Sequence, residues 1–384
     1  MSTPVHENYR NSHCGCWLEW AYAAYKLQQL GVVDYRILEA RPSPGGRILT
    51  LSSAQMTAPK AGTAATTDVF DFGPSWFWPT YQQHLGQLVD VLGLSHYEQH
   101  ELGDMLSERS LQTPVMRRPG YRSAPTSMRI SGGMGALIDA LLGKLDSDRI
   151  LTGQIVHRLH RTNTGIRIES RDHQSHDTAW HATHVLLALP PRLAQATIDF
   201  FPPLSDGISR SWQQSATWMA PHAKYLATYE TAFWRDQGLS GAGRSGVGPM
   251  AEIHDASLPN GQAALFGFIG IPATTRKTVG QVELAAMCRA QLARLFGPMA
   301  ALPTAEFIKD WAADPFTAIE ADWTSNAQHA AVPPQAAVSG PWADHLIGVG
   351  SEWSLEFPGY LAGAIDAVDR GIASLSIGKT LSTT

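Results

Sequence analysis

Cysteine is nearly absent. Cys14, Cys16 and Cys288 are the only three, too few for a disulfide framework, and such scarcity fits a reducing compartment. Long basic runs are missing too. Lys plus Arg number 29 against 34 Asp plus Glu, a net charge of −5, so nucleic acid is not an expected partner. Apolar stretches such as Val185–Pro191 fall far short of the roughly 20 residues a membrane-spanning helix needs. Met1–Ser12 lacks the apolar core of a signal peptide. These absences point to a cytoplasmic protein with neither membrane nor nucleic acid as partner. There are no internal repeats and no low-complexity tracts. What remains is a globular chain of 384 residues, 44% hydrophobic and 16% charged, large enough for a sizeable core and two domains.

The patterning predicts alternating helices and strands. Leu18–Leu30 reads as a helix stopped by Gly31, and Asp34–Glu39 as a short strand ending in an acid. The loop Arg41-Pro42-Ser43-Pro44-Gly45-Gly46-Arg47 follows. Tyr81–Leu94 and Gly135–Leu145 read as helices, the second opened by Gly132-Gly133-Met134. Ile150 to Ser170 alternates as strands do, and Val185–Leu189 reads as a buried strand entering Pro190-Pro191. Tyr225–Tyr229 and Ala263–Ile269 suggest a second sheet, and Val282–Phe296 a helix. Ala330–Gly340 reads as a connector, His345–Val349 as a strand and Tyr360–Ser376 as the closing helix.

A helix, a short strand ending in an acid and a loop with two glycines and an arginine form the layout of a dinucleotide site. An acid at the end of the second strand accepts hydrogen bonds from both ribose hydroxyls of an adenosine, and Glu39 holds that place. Alone it reads equally well as a strand-end acid facing solvent. Gly45 and Gly46 permit close backbone approach, and Arg47 beside them suits a pyrophosphate. Lys224 lies between Ala223 and Tyr225, where an ordinary strand lysine faces water. Buried, its charge would instead order a water or stabilise developing negative charge.

Leu38-Glu39-Ala40-Arg41 followed by Gly45-Gly46-Arg47 resembles the start of the flavin-containing amine oxidases: monoamine, polyamine and L-amino-acid oxidases. The resemblance runs on, in order, through Asp71-Phe72-Gly73-Pro74-Ser75-Trp76-Phe77-Trp78-Pro79, Gly132-Gly133-Met134 and Leu186–Pro191. It continues with Lys224 before Phe233-Trp234, with Asp310-Trp311 and Asp314-Pro315-Phe316-Thr317, and with Gly350-Ser351-Glu352 and Gly359–Ala364. It spans about Tyr22 to Gly371.

The resemblance implies an α/β fold. A discontinuous Rossmann-like FAD domain would take 1–80, 128–216 and 322–384, and a mixed-sheet substrate domain 81–127 and 217–321. It implies a cofactor set of Gly15, Glu39, Ala40, Arg41, Gly46, Arg47, Gly73, Pro74, Ser75, Trp76, Val156, Glu352, Gly359, Tyr360 and Leu361. Lys224 and Tyr360 would be the catalytic residues: the lysine holding a water near the flavin, the tyrosine presenting its ring to the amine. FAD would be non-covalent, since 314–323 contains no cysteine. The implied reaction takes hydride from the carbon next to a neutral amine. The imine hydrolyses, and dioxygen is reduced to hydrogen peroxide. A related desaturase or porphyrinogen-type oxidase is a rival reading. A cofactor-deficient relic acting as a binding protein, or inactive, is another.

The second rival arises from the N-terminus, which departs from the family. Counting back from Ala23-Ala24-Tyr25, Gly15 falls on the first glycine of the expected Gly-x-Gly-x-x-Gly, but Trp17 and Trp20 replace the second and third. Tryptophan there obstructs the pyrophosphate and the helix–strand contact. Under one choice of synonymous codons, shifting the reading frame of residues 11–20 by one nucleotide yields Ile-Val-Ile-Val-Gly-Ala-Gly-Leu-Ser-Gly. That is a buried strand followed by the missing loop. We read the segment as a local frameshift restored near Ala21. On that reading His13-Cys14-x-Cys16 is no metal site, having no second Cys/His pair close in sequence.

Overall fold

The computed structural model describes residues 6–8, 11–15, 18–56, 68–324 and 331–375, with backbone alone for 6–8 and 11–15. Trp17 and Cys16 lie outside the described residues, as does the end of the expected closing helix.

A five-stranded parallel sheet runs in the order Ile150–Leu151, Tyr35–Leu38, Asn11–Gly15, His184–Ala188, Leu346–Gly348. Its outer strands are apolar, as strands covered on both faces must be. Its central strand is the polar segment Asn11–Gly15, which the sequence reading had given no strand. The neighbours decide the matter: Tyr35–Leu38 and His184–Ala188 both offer backbone edges, with Asn11 in register with Tyr35 on one side and His184 on the other. Backbone pairing holds a segment whose side-chain pattern argues against it.

Helix Leu18–Gln29 follows this strand and ends before Gly31, which takes the left-handed φ of 77°. Its small residues Ala21, Ala23 and Ala24 are fully buried, and it packs on the closing helix Leu361–Ser374 and on Gly135–Leu142. A second five-stranded sheet joins His6–Asn8, Asp177–Ala182, Ile166–Arg171, Ile155–Arg161 and Asp199–Phe201.

A seven-stranded mixed sheet runs Ala305–Asp310, Ala223–Tyr229, Ala263–Ile269, Met250–Asp255, Leu239–Ser245, Asp104–Glu108, Met116–Arg118. Helix Gln281–Phe296 covers one face, setting Leu284, Cys288 and Leu292 against Tyr225, Ala227 and Leu265. The opposite face, carrying Leu226 and Phe266, packs on Phe70 and Phe72. Both faces of strand Ala223–Tyr229 are therefore covered, and every residue in it is buried. The Rossmann-like sheet with a mixed-sheet partner is the α/β architecture expected.

Candidate active site

Strand alternation puts Lys224 on the same face as Leu226, toward Phe72. Lys224 is only 2% exposed, so the solvent-facing reading fails. Its ammonium donates to the Asp71 carbonyl (3.0 Å), the Gly73 carbonyl (2.9 Å) and Ser75 Oγ (2.8 Å). It also lies 4.4 Å from the Phe266 ring centroid. Burial pulls its pKa down to about 7, with Asp71 resisting and Arg129 assisting. Three protein acceptors use all three N–H groups of the charged amine. The lysine thus clamps residues 71–75 onto the sheet, and it would hold a water only by releasing one of them.

The clamped segment is anchored from behind. Asp71 Oδ1 accepts from Thr50 Oγ1 (2.6 Å) and from the Met134 N–H (2.8 Å), so the Gly132-Gly133-Met134 turn docks there. Trp311 Nε1 donates to the Phe72 carbonyl at 3.0 Å. At Gly73 a Cβ would collide with the Arg47 carbonyl, so only glycine lets these two segments meet. Gly45 and Gly46, with φ of 114° and 56°, turn the chain that delivers Arg47.

These segments enclose a cavity of about 770 Å³. Of the expected residues, Arg47, Gly73, Pro74, Ser75, Trp76, Lys224, Gly359, Tyr360 and Leu361 line it. Trp218 and Tyr360 pack against each other at its wall, ring centroids 4.8 Å apart and inclined at 42°, and burial raises the tyrosine pKa. Trp76 is fixed by a 2.8 Å bond from its indole to Gln99 and packs edge-on to His254. Among the lining residues that sequence reasoning missed are Glu19, Trp218, Glu252 and Arg276. Arg276 is held by a bidentate pair with Asp310, both bonds 2.7 Å.

The remaining expected residues lie around a second locus. Gly15 ends the central strand. Glu39 is fully buried at the end of the next one, its Oε1 accepting from the Arg41 N–H at 2.7 Å and its Oε2 without a hydrogen-bond partner among the described residues. Burial raises it to about 7, against the Arg41 N–H, the Arg41 charge and the Trp20 indole. The Gln154 N–H binds the Glu39 carbonyl (2.8 Å), while half-buried Val156, two residues on, belongs to strand Ile155–Arg161 of the other five-stranded sheet, where it pairs with Ser170. Arg41 itself bonds Asp314 (2.8 Å) and Thr317 (3.0 Å), so the late 314–317 motif braces the glycine loop rather than the cavity. Glu352 lies behind the cavity wall and pairs with Arg47 at 2.6 Å.

A parallel sheet with an acid at its second strand end, joined to a substrate-sized cavity on a second sheet, defines a nucleotide-cofactor enzyme scaffold. The family model for flavin containing amine oxidoreductase matches residues 22–126 and 121–367, and the chain belongs to that family. An L-amino-acid oxidase from Siganus canaliculatus is 26% identical over 243 residues, 60% of this chain and 45% of that one. A putrescine oxidase from Kocuria rosea is 27% identical over 165 residues, 39% of this chain and 34% of that one. In these matches the chain spans under half the length of its relatives. Among solved structures, putrescine oxidase bound to putrescine superposes with a TM-score of 0.76 at 19% identity, covering 96% and 99% of the two chains. Cyclohexylamine oxidase from Brevibacterium oxydans IH-35A gives 0.76 at 18%, covering 96% and 98%. The family assignment bears out a flavin as the expected cofactor.

The residues fit FAD at two places. The cavity suits the flavin ring, and the unpartnered Oε2 of Glu39 suits ribose hydroxyls. They fit poorly between them, where Trp20, fully buried, occupies the third glycine's position and Glu19 precedes it. No helix among the described residues is long and apolar enough to cross a membrane.

Glu39→Ala removes up to two charge-assisted bonds to the ribose, each worth about 1.5–3 kcal/mol. FAD titration of a variant that binds the cofactor should show at least about tenfold weaker affinity. Unchanged affinity would separate Glu39 from the cofactor.

Proposed function

We propose that the chain oxidises a small amine with FAD, using dioxygen as electron acceptor. The products are an imine, hydrolysed to aldehyde and ammonia, and hydrogen peroxide. The observation that carries this reading is the cavity in which Lys224, Trp218 and Tyr360 converge on one apolar space within a flavin-family fold. When bound, the flavin supplies the acceptor for a hydride from the carbon next to nitrogen.

The chain's own residues prepare the amine. Apolar walls favour its neutral form, because burying an ammonium is costly. The packed Trp218 and Tyr360 rings form one aromatic wall against which the amine would lie. The division into a FAD domain (1–80, 128–216, 322–384) and a substrate domain (81–127, 217–321) is part of this proposal. In support, the seven-stranded sheet draws its strands from Asp104–Glu108, Met116–Arg118 and segments between Ala223 and Asp310. The test is peroxide release on adding amines to FAD-loaded protein. Flavin reduction without peroxide under air would remove dioxygen from the proposal and keep the rest.

Glu252 refines the substrate. It lines the cavity, and its Oε1 accepts from His254 Nε2 at 2.9 Å and pairs with the exposed Arg244 at 3.5 Å, a contact that a substrate cation would share. The His254 bond holds its pKa below the usual carboxylate value, against burial. Lys224 pairs in register with Phe268, and Phe268 with Glu252. The lysine and the carboxylate thus stand two strands apart in one row, about 9–10 Å. A second positive group on the amine would meet Glu252. The curated putrescine oxidase relative, named for a diamine, is consistent with this. Glu252→Gln should lower kcat/KM for α,ω-diamines about tenfold or more and leave alkyl monoamines nearly unchanged. Equal losses for both would remove Glu252 from substrate recognition.

A further inference from the structure

The helix Leu18–Gln29 begins where the family places the cofactor's diphosphate, and a carboxyl group already stands there. Glu19 is 1% exposed yet lines the cavity. Its Oε1 accepts the Ser351 N–H at 2.9 Å, and its Oε2 is buried without a partner. Two charged groups face it. Arg47 comes from the loop after Tyr35–Leu38, and Glu352 from the turn Ser351–Trp353, the two paired at 2.6 Å. The closing helix presents only Leu361 and Ala364 to the same space, and the flanking Leu18 and Trp20 carry no charge. A helix start, a backbone N–H and an arginine are the donors that receive a phosphate. Here a side-chain carboxyl engages or faces all three.

We propose that Glu19, when ionised, occupies the diphosphate cradle as a built-in competitor, so that FAD binds only the form in which this carboxyl carries its proton. The ionised carboxylate repels the diphosphate and holds the Ser351 N–H. The protonated form yields the acceptor position, and its O–H becomes a donor to a phosphate oxygen. No bond other than this O–H forms or breaks. Burial, the larger effect, and the nearby Glu352 raise the Glu19 pKa to about 8 against the pull of Arg47. The sign follows. The Glu19 carboxyl is protonated below about 8, so its own effect on affinity is level there and weakens binding as pH rises beyond; Glu39, raised to about 7 at the ribose end, acts in the opposite sense as it ionises.

The experiment is titration of the full chain with FAD and with riboflavin, followed by flavin fluorescence and by thermal melting, at pH 7 and pH 9. FAD affinity should fall about tenfold between the two for the unaltered chain. Riboflavin, which has the ring but no phosphate, should show no such fall. This comparison sets aside Lys224, which titrates near 7 at the ring end of the cavity. Glu19→Gln should level the FAD profile, and Glu19→Ser should level it and tighten binding at both pH values. An FAD slope that persists in Glu19→Gln, or one shared equally by riboflavin, overturns the proposal. So does a chain that melts cooperatively yet takes up no FAD at either pH, both as written and as Glu19→Ser. None of these outcomes depends on turnover, so they are separate from failure of the amine oxidation reading.

Discussion

Replacing residues 11–20 with Ile-Val-Ile-Val-Gly-Ala-Gly-Leu-Ser-Gly should turn a weak FAD binder into a yellow holoprotein, with affinity raised by two orders of magnitude or more. Two effects combine. The central strand Asn11–Gly15 is held through its backbone between two apolar neighbours. Giving it aliphatic side chains contributes about 1.5–3 kcal/mol for each one buried, before the entropy of ordering. At the helix start, glycine for Trp20 reopens the approach beside Glu39, and serine for Glu19 removes the competing carboxyl. The repaired chain should melt at higher temperature than the original even without FAD, and higher again with it. Stoichiometric FAD on the chain as written would contradict this, as would a repaired chain no better at binding. The gene's DNA tests the origin of the segment: codons incompatible with the shifted reading would end the frameshift account.

Lys224→Met should slow reoxidation by dioxygen about a hundredfold, and flavin reduction by amine much less. The charge stands at the cavity wall, where stabilising developing negative charge is worth several kcal/mol. Because burial holds its pKa near 7, the charge is present below that value and lost above it. Reoxidation in the unaltered enzyme should therefore slow as pH rises through about 7, and the variant should lose this dependence. The substitution also strands the Asp71 and Gly73 carbonyls and Ser75 Oγ, each at about 1–3 kcal/mol, so the melting temperature should fall. Stopped-flow traces separate the roles. Equal slowing of both half-reactions with the pH dependence intact would make Lys224 a clamp on residues 71–75 and nothing more.

The parts legible in the sequence were those whose chemistry is local. A strand ending at Glu39, the glycine pair before Arg47 and the helix following Gly132-Gly133 each depend on backbone requirements within a few residues. The seven-stranded sheet was glimpsed through its two most apolar strands. Its edge strands, such as the exposed Met116–Arg118, have no periodic signal. The burial of Lys224 had a signal that alternation obscured: Tyr225 and Leu226 are both apolar, so no face of that strand was left for water. Glu19 carries no local signal in the sequence, because its partners Arg47 and Ser351 are distant from it along the chain. Trp218 lies in an irregular turn and meets Tyr360 only through the tertiary fold. The strand at Asn11–Gly15 ran against its own composition. Only the two apolar strands that flank it explain its place.

The most direct test of the account is anaerobic addition of a primary amine or diamine to FAD-loaded protein while the visible flavin absorption is followed. The account predicts bleaching by substrate, return of the yellow colour when air is admitted, and hydrogen peroxide equal to the amine consumed. Protein that holds FAD, as judged by its melting shift, but keeps its colour across a panel of monoamines, diamines and amino acids would contradict it.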